Sequence, residues 1–164
     1  MKKSIFIILI VLWMSFIFSM SSQNGSTSSQ TSGGVIKSTI KVVKEHLPED
    51  VQIEIEHKED MIVESLQNVV RKSAHFIAYM ILGILSLLLF NEFKSLKDSA
   101  IYAFMLSVIY AASDEFHQLF VPGRSGQIRD VAIDSLGALT GILLSILIVN
   151  LVCLINKKRM RVND

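Results

Sequence analysis

Four apolar blocks, three of them edged by polar clusters, constrain this chain more than any other feature. They cover residues 4–20, 74–90, 99–119 and 131–155. A helix needs roughly 20 residues to cross a hydrocarbon core of about 30 Å. The first two blocks are slightly short of that and the last is ample. The third reaches spanning length only if its helix continues through Asp114 to Leu119. Mean hydropathy is +0.48 and 51% of the residues are hydrophobic, too apolar for an ordinary soluble domain. A length of 164 residues fits one domain. The expected fold is all-α: a single-domain polytopic membrane protein over residues 1–164 with four transmembrane helices.

Basic residues orient these spans. Lys2 and Lys3 precede the first block, Lys94 and Lys97 follow the second, and Lys157, Lys158, Arg159 and Arg161 follow the fourth. With four spans all three groups fall on one side, so both termini are expected in the cytoplasm. The long segment 21–73 and the loop around Arg124 are then outside. A secretory signal peptide is the rival reading of the first block, but Met20 between Ser19 and Ser21 makes a poor cleavage site. The net charge of +1 points to no nucleic-acid partner, and a single cysteine, Cys153, rules out an intrachain disulfide.

The outer segment opens with "SSQNGSTSSQTSGG", a flexible linker by composition. Val35, Ile36, Ile40, Val43 and Leu47 then recur at helical spacing among lysines. They predict an amphipathic helix lying on the membrane surface or on the bundle. "LPED" ends it. "VQIEIE" alternates like a strand but is short and isolated. From Asp60, Ile62, Leu66, Val69 and Val70 mark a helical face running into the second block. His46 and His57 lie among charges and read as solvated.

In this topology the unusual polar residues meet at the outer end. Block two brings Arg71, Lys72 and His75, block three brings Asp114, Glu115, His117 and Gln118, and block four brings Asp130 and Asp134. His75, Asp114, His117 and Asp134 each lie about one turn, ~5 Å, inside the apolar boundary. Charge at that depth is costly unless paired or wet. Lys72, His75 and Tyr79 share a face, and so do Asp130, Asp134, Gly137 and Gly141, where glycines let a neighbouring helix approach closely. "VPGR" predicts a tight turn holding Arg124 over the cluster.

Three readings of the cluster stay open. It is an interhelical lock, pairing Lys72 or Arg124 with Asp114 and His75 with Asp134. Or it is a pocket in which Arg71, Lys72 and Arg124 hold an anionic group. His75, Asp114, Glu115, His117 and Asp134 would then handle protons, supported by Gln118, Asp130 and Tyr79. Or it binds a divalent metal, with His75, Asp114, His117 and Asp134 as candidate ligands. Ser113 and Ser125 lie near His117 in sequence, but nothing resembles a nucleophile elbow.

"FSMSSQ", "RKSAHFIAYMILG" and "SDEFHQLFVPGRSGQIRDVAIDSLGALTGILL" together resemble the VanZ-like family of small bacterial membrane proteins. Aspartate stands at 134, where that pattern often has asparagine. The resemblance implies a multi-pass protein of the cell envelope. The member that names the family is associated with low-level resistance to teicoplanin, a lipophilic glycopeptide. The implied partners are therefore the lipid bilayer and, at its outer face, a lipid-linked cell-wall precursor or such a drug.

Overall fold

The chain has two prolines, Pro48 and Pro122, and both stand between helices, where a missing N–H disturbs nothing. The computed structural model describes residues 2–163, without the side chains of 2, 153, 154 and 156–163. Cys153 and the basic cluster from Lys157 to Arg161 therefore lie outside the described side chains. The architecture is all helical: α1 Lys2–Ser21, α2 Gly25–Lys44, α3 Glu49–Asn91, α4 Leu96–Gln118 and α5 Ile128–Asn163.

Three of these helices are long and apolar enough to cross a membrane: α1, α3 and the Ile128–Val152 part of α5. Leu12, Leu143, Leu147 and Ile148 are among the many large apolar side chains left uncovered on them, the surface of a protein that sits in lipid. The 23 residues of α4 are long enough, and the helix does continue through Asp114. It falls outside that set because charged residues interrupt both its ends. Ser95 caps it, accepting from the Asp98 N–H at 3.2 Å.

Segment 49–91 is one helix of 43 residues, about 65 Å long. The strand-like alternation of "VQIEIE" is overridden there. Isolated strands bury nothing, whereas on the helix Val63 finds a buried place against α2. The larger correction concerns the serine-rich stretch. It is not a flexible linker: only residues 22–24 turn, and Gly25 starts α2. Glycine and serine are poor helix formers in isolation, but here their small size is used. Gly25, Ser28, Ser32, Gly33 and Ile36 form the buried face of α2. Gly33 sits against Val63 and Gln67 of α3. Thr31 donates its hydroxyl to the Thr27 carbonyl at 3.0 Å, so a polar side chain in the helix is satisfied locally. Val35 to Val43 continue that same helix. They lie along Ile55, Ile62 and Leu66, so α2 and the first half of α3 form a hairpin.

The second half of α3 packs on α1, α4 and α5. Ile10, Ile17, Tyr79, Leu82, Ala111 and Ala138 form one core, and Leu87, Ala103 and Ile142 another. The glycine face of α5 is what brings α3 and α5 together. A Cβ at Gly137 would strike the Phe76 carbonyl, and one at Gly141 the Met80 carbonyl. Gly83 on α3 faces the Ala138 carbonyl in the same way. Trp13 ties α1 to this bundle by donating to the Ala78 carbonyl at 2.8 Å, and Tyr110 donates to that of Met14 at 2.5 Å.

Candidate functional site

The helical faces that bury small residues also deliver the carboxylates. Ser107, Ala111, Asp114 and Gln118 run down the buried face of α4, and Asp134, Ala138 and Ile142 down that of α5. With backbones this close, an acid one turn above a buried alanine is itself buried: Asp114 is 2% exposed and Asp134 1%. His75, one turn above Tyr79 on α3, meets them. One ligand atom from each of His75, Asp114 and Asp134 lies within 4.8 Å of the others. His75 Nδ1 is 3.6 Å from Asp134 Oδ2, the expected pairing, though longer than a hydrogen bond. The last residue of α1, Ser21, donates its hydroxyl to Asp114 Oδ2 at 2.7 Å. Gln118 Nε2 is 3.4 Å from the same oxygen. Asp114 Oδ1 and both Asp134 oxygens have no hydrogen-bond partner among the described residues.

The expected pairing of Lys72 or Arg124 with Asp114 does not form. Lys72 is held by Asp130, half-exposed at the rim. Arg124 instead ties the loop to the end of α1, donating Nε to the Gln23 carbonyl at 3.1 Å and Nη2 to the Met20 carbonyl at 3.3 Å. The reason is the turn. Gly123 adopts φ +73°, and the Gly25 N–H donates to the Pro122 carbonyl at 3.1 Å, so the "VPGR" loop is clamped against the start of α2. Partial burial and the charge of Arg71 lower the pKa of the Arg124 guanidinium, which remains a cation. Among the described residues Arg71 itself donates only to Asn68, at 2.9 Å.

Two further expected residues take other positions. His117 is not part of the His75, Asp114 and Asp134 group. Its ring packs on Phe18 of α1, centroids 4.5 Å apart. Glu115 accepts from the Gln127 N–H at 2.8 Å and so fixes the loop before α5. Tyr79 is fully buried beneath His75, with no hydrogen-bond partner for its hydroxyl among the described residues. Ser113 donates back to the Tyr110 carbonyl at 2.7 Å. Sequence reasoning brought Ser21 to Gln23 to this outer end but gave Ser21 no role in the site, and it missed Gln127. The signal for Ser21 was the polar "SSQ" that directly follows the first apolar block.

Two cavities open beside the buried group. A polar one of about 70 Å³ is lined by Arg71, His75, Gln118, Arg124, Gln127 and Asp134, among others. An apolar one of about 200 Å³ is lined by Phe16, Ile17, Met20, Val35, Val70 and Ala78. Arg71, His75 and Arg124 border both. Cations at the rim can hold an anion, and a histidine between two carboxylates can move a proton or hold a metal.

No curated protein and no solved structure matches the chain. The family model described as VanZ/LLP1 matches residues 6–149, from the first apolar helix through the glycine face of α5, and the chain belongs to that family.

Proposed function

We propose that this membrane protein binds an anionic amphiphile at the outer leaflet, a lipid headgroup or lipid-linked cell-wall precursor, and acts on it or sequesters it. One observation carries the reading: the polar cavity and the apolar groove share Arg71, His75 and Arg124 as their common border. Such a site matches a molecule with a charged head and an apolar tail. In this reading α1, the apolar half of α3, α4 and α5 all span the membrane, with both termini cytoplasmic. The clustered lysines support that orientation, and the bonds of Trp13 and Ser21 to other helices support a retained α1. Single cysteines at Ser28 and Ser125 are then labelled from outside and one at Ser95 only from inside. External labelling of Ser95 sinks the topology.

Arg71 is the residue to change, because it touches both cavities and its only hydrogen bond among the described residues is to Asn68, so its loss should leave the bundle intact. The full chain, reconstituted with photoactivatable polyisoprenyl diphosphate or photoactivatable phosphatidylglycerol, should crosslink through residues of the groove. Arg71→Ala should weaken that capture about tenfold, the loss of one charge-assisted contact. Equal capture by the variant, or none by the folded wild type, defeats the reading. A modest fall in teicoplanin susceptibility, larger than for vancomycin, is its expected consequence in a Gram-positive host. Unchanged susceptibility to both drugs at confirmed expression removes that part.

A second reading is a non-enzymatic envelope protein whose polar cluster only holds helices together. The Lys72–Asp130 ion pair and the Ser21–Asp114 hydrogen bond favour it. It expects Arg71→Ala to change nothing.

A further inference from the structure

Two carboxylates buried to 1% and 2% exposure normally carry a full set of hydrogen bonds or a cationic partner. Asp114 and Asp134 have neither in full. Three of their four oxygens have no hydrogen-bond partner among the described residues, and Lys72 and Arg124, the basic side chains expected to reach them, are engaged elsewhere, Lys72 by Asp130 and Arg124 by the end of α1. What does face them is an imidazole nitrogen. Its 3.6 Å separation from Asp134 Oδ2 is too long for a good hydrogen bond. It is close to the spacing of two ligands around a tetrahedral ion, which bond lengths of about 2.0–2.2 Å put at roughly 3.3–3.6 Å.

We propose that His75 Nδ1, the free Asp114 Oδ1 and an oxygen of Asp134 bind one divalent cation, with zinc the best match to one imidazole and two carboxylates. One ligand atom from each of the three residues already lies within 4.8 Å of the others, so the group needs to close by only about an ångström to meet such an ion. Two anionic ligands balance its charge, which answers the cost of burying them side by side. Ser21 and Gln118 hold Asp114 by its other oxygen, the outer support that fixes a ligand's direction. His75 and Asp134 also line the polar cavity, so the ion has an open side toward it. That open side would take an anionic oxygen or a water. In this one respect the proposal rests on the amphiphile reading; the ion itself does not.

The test uses the full chain in detergent without lipid, so it stands or fails apart from the amphiphile. Protein stripped with a chelator is titrated with Zn²⁺ or Co²⁺, followed by elemental analysis after desalting and by the visible spectrum of the Co²⁺ form. The expected result is one ion per chain. Asp134→Asn should weaken Zn²⁺ binding by more than about tenfold, while Asp60→Asn, an acid of the hairpin, binds as wild type does. Because Asp134→Asn can fail to fold, a second measurement uses the wild type alone: Zn²⁺ should raise its thermal midpoint and the chelator should lower it again. Folded wild-type protein that binds neither ion, or a midpoint that zinc does not move, overturns the proposal. So does Asp134→Asn binding as tightly as wild type.

Discussion

Gly141 of α5 has the Met80 carbonyl of α3 against the place where its Cβ would go, while Gly34 of α2 has nothing there within 4 Å. Both are helical glycines, one in the bundle and one on the open side of the hairpin, and the two halves of the molecule also differ in how they treat charge. In the bundle of α1, α4, α5 and the second half of α3, backbones touch and polar groups are buried beside them. In the hairpin of α2 and the first half of α3, charges pair on the surface. Lys37 lies 3.3 Å from Asp60 and Lys44 3.2 Å from Glu56, with Asp60 96% exposed. Exposed pairs of this kind contribute little. Gly141 therefore marks a close approach of two helices, whereas Gly34 contributes only weak helix propensity. A charge means a site in one half and solubility in the other.

The largest effect expected from this contrast is at Gly141. Gly141→Leu must push α5 off the α3 backbone, which a rigid carbonyl cannot accommodate by rotating away. Overpacking of this sort costs at the upper end of its range, about 3 kcal/mol or more. It should appear as loss of folded protein in detergent size-exclusion and thermal unfolding. A stable, normally eluting Gly141→Leu protein would mean that the helices do not meet there. The same contrast makes Ser21→Ala costly by roughly 1–3 kcal/mol, since it leaves a buried carboxylate oxygen short of its best donor. Lys37→Ala, which breaks an exposed pair, should cost under about 1 kcal/mol. Thermal unfolding of both variants checks the order, and equal shifts would erase the distinction between the halves.

What the sequence made legible follows the same division. Block lengths located the apolar helices, the 3.6-residue recurrence from Ile62 to Val70 carried α3 into the second block, and the spacing of Asp134, Gly137 and Gly141 foretold a close helix contact, though not that α3 makes it. The meeting of His75, Asp114 and Asp134 was readable because depth along a membrane-length helix is nearly fixed by residue number. The His75–Asp134 pairing was readable too, but those of the long basic side chains were not, since a lysine or arginine reaches several acids from one position. Lys72 took Asp130, Arg124 took the end of α1, and Glu115 took a backbone N–H. The serine- and glycine-rich first half of the Gly25–Lys44 helix was hidden for another reason, while its second half, from Val35, was predicted. Its residues have poor intrinsic propensity, and only packing of small faces against Val63, Gln67 and the Gly123 turn makes it worthwhile.

That last point yields the smallest effect, and one of opposite sign. If α2 is a helix held by packing against weak propensity, a better helix former on its open side should stabilise it. Gly34 is exposed, has a helical backbone and has no neighbour to meet a methyl group. Gly34→Ala should therefore add roughly 0.5–1 kcal/mol to the stability of the hairpin by restricting the unfolded chain. Gly33→Ala, one residue away, should not. Its Cβ would lie 3.2 Å from Gln67 Nε2 and 3.4 Å from Val63, so the gain in propensity is offset by crowding. Amide hydrogen exchange across residues 25–44 reads the difference directly. Slower exchange for Gly34→Ala alone sharpens the comparison. No change in either variant would return this stretch to the flexible linker that its composition predicts.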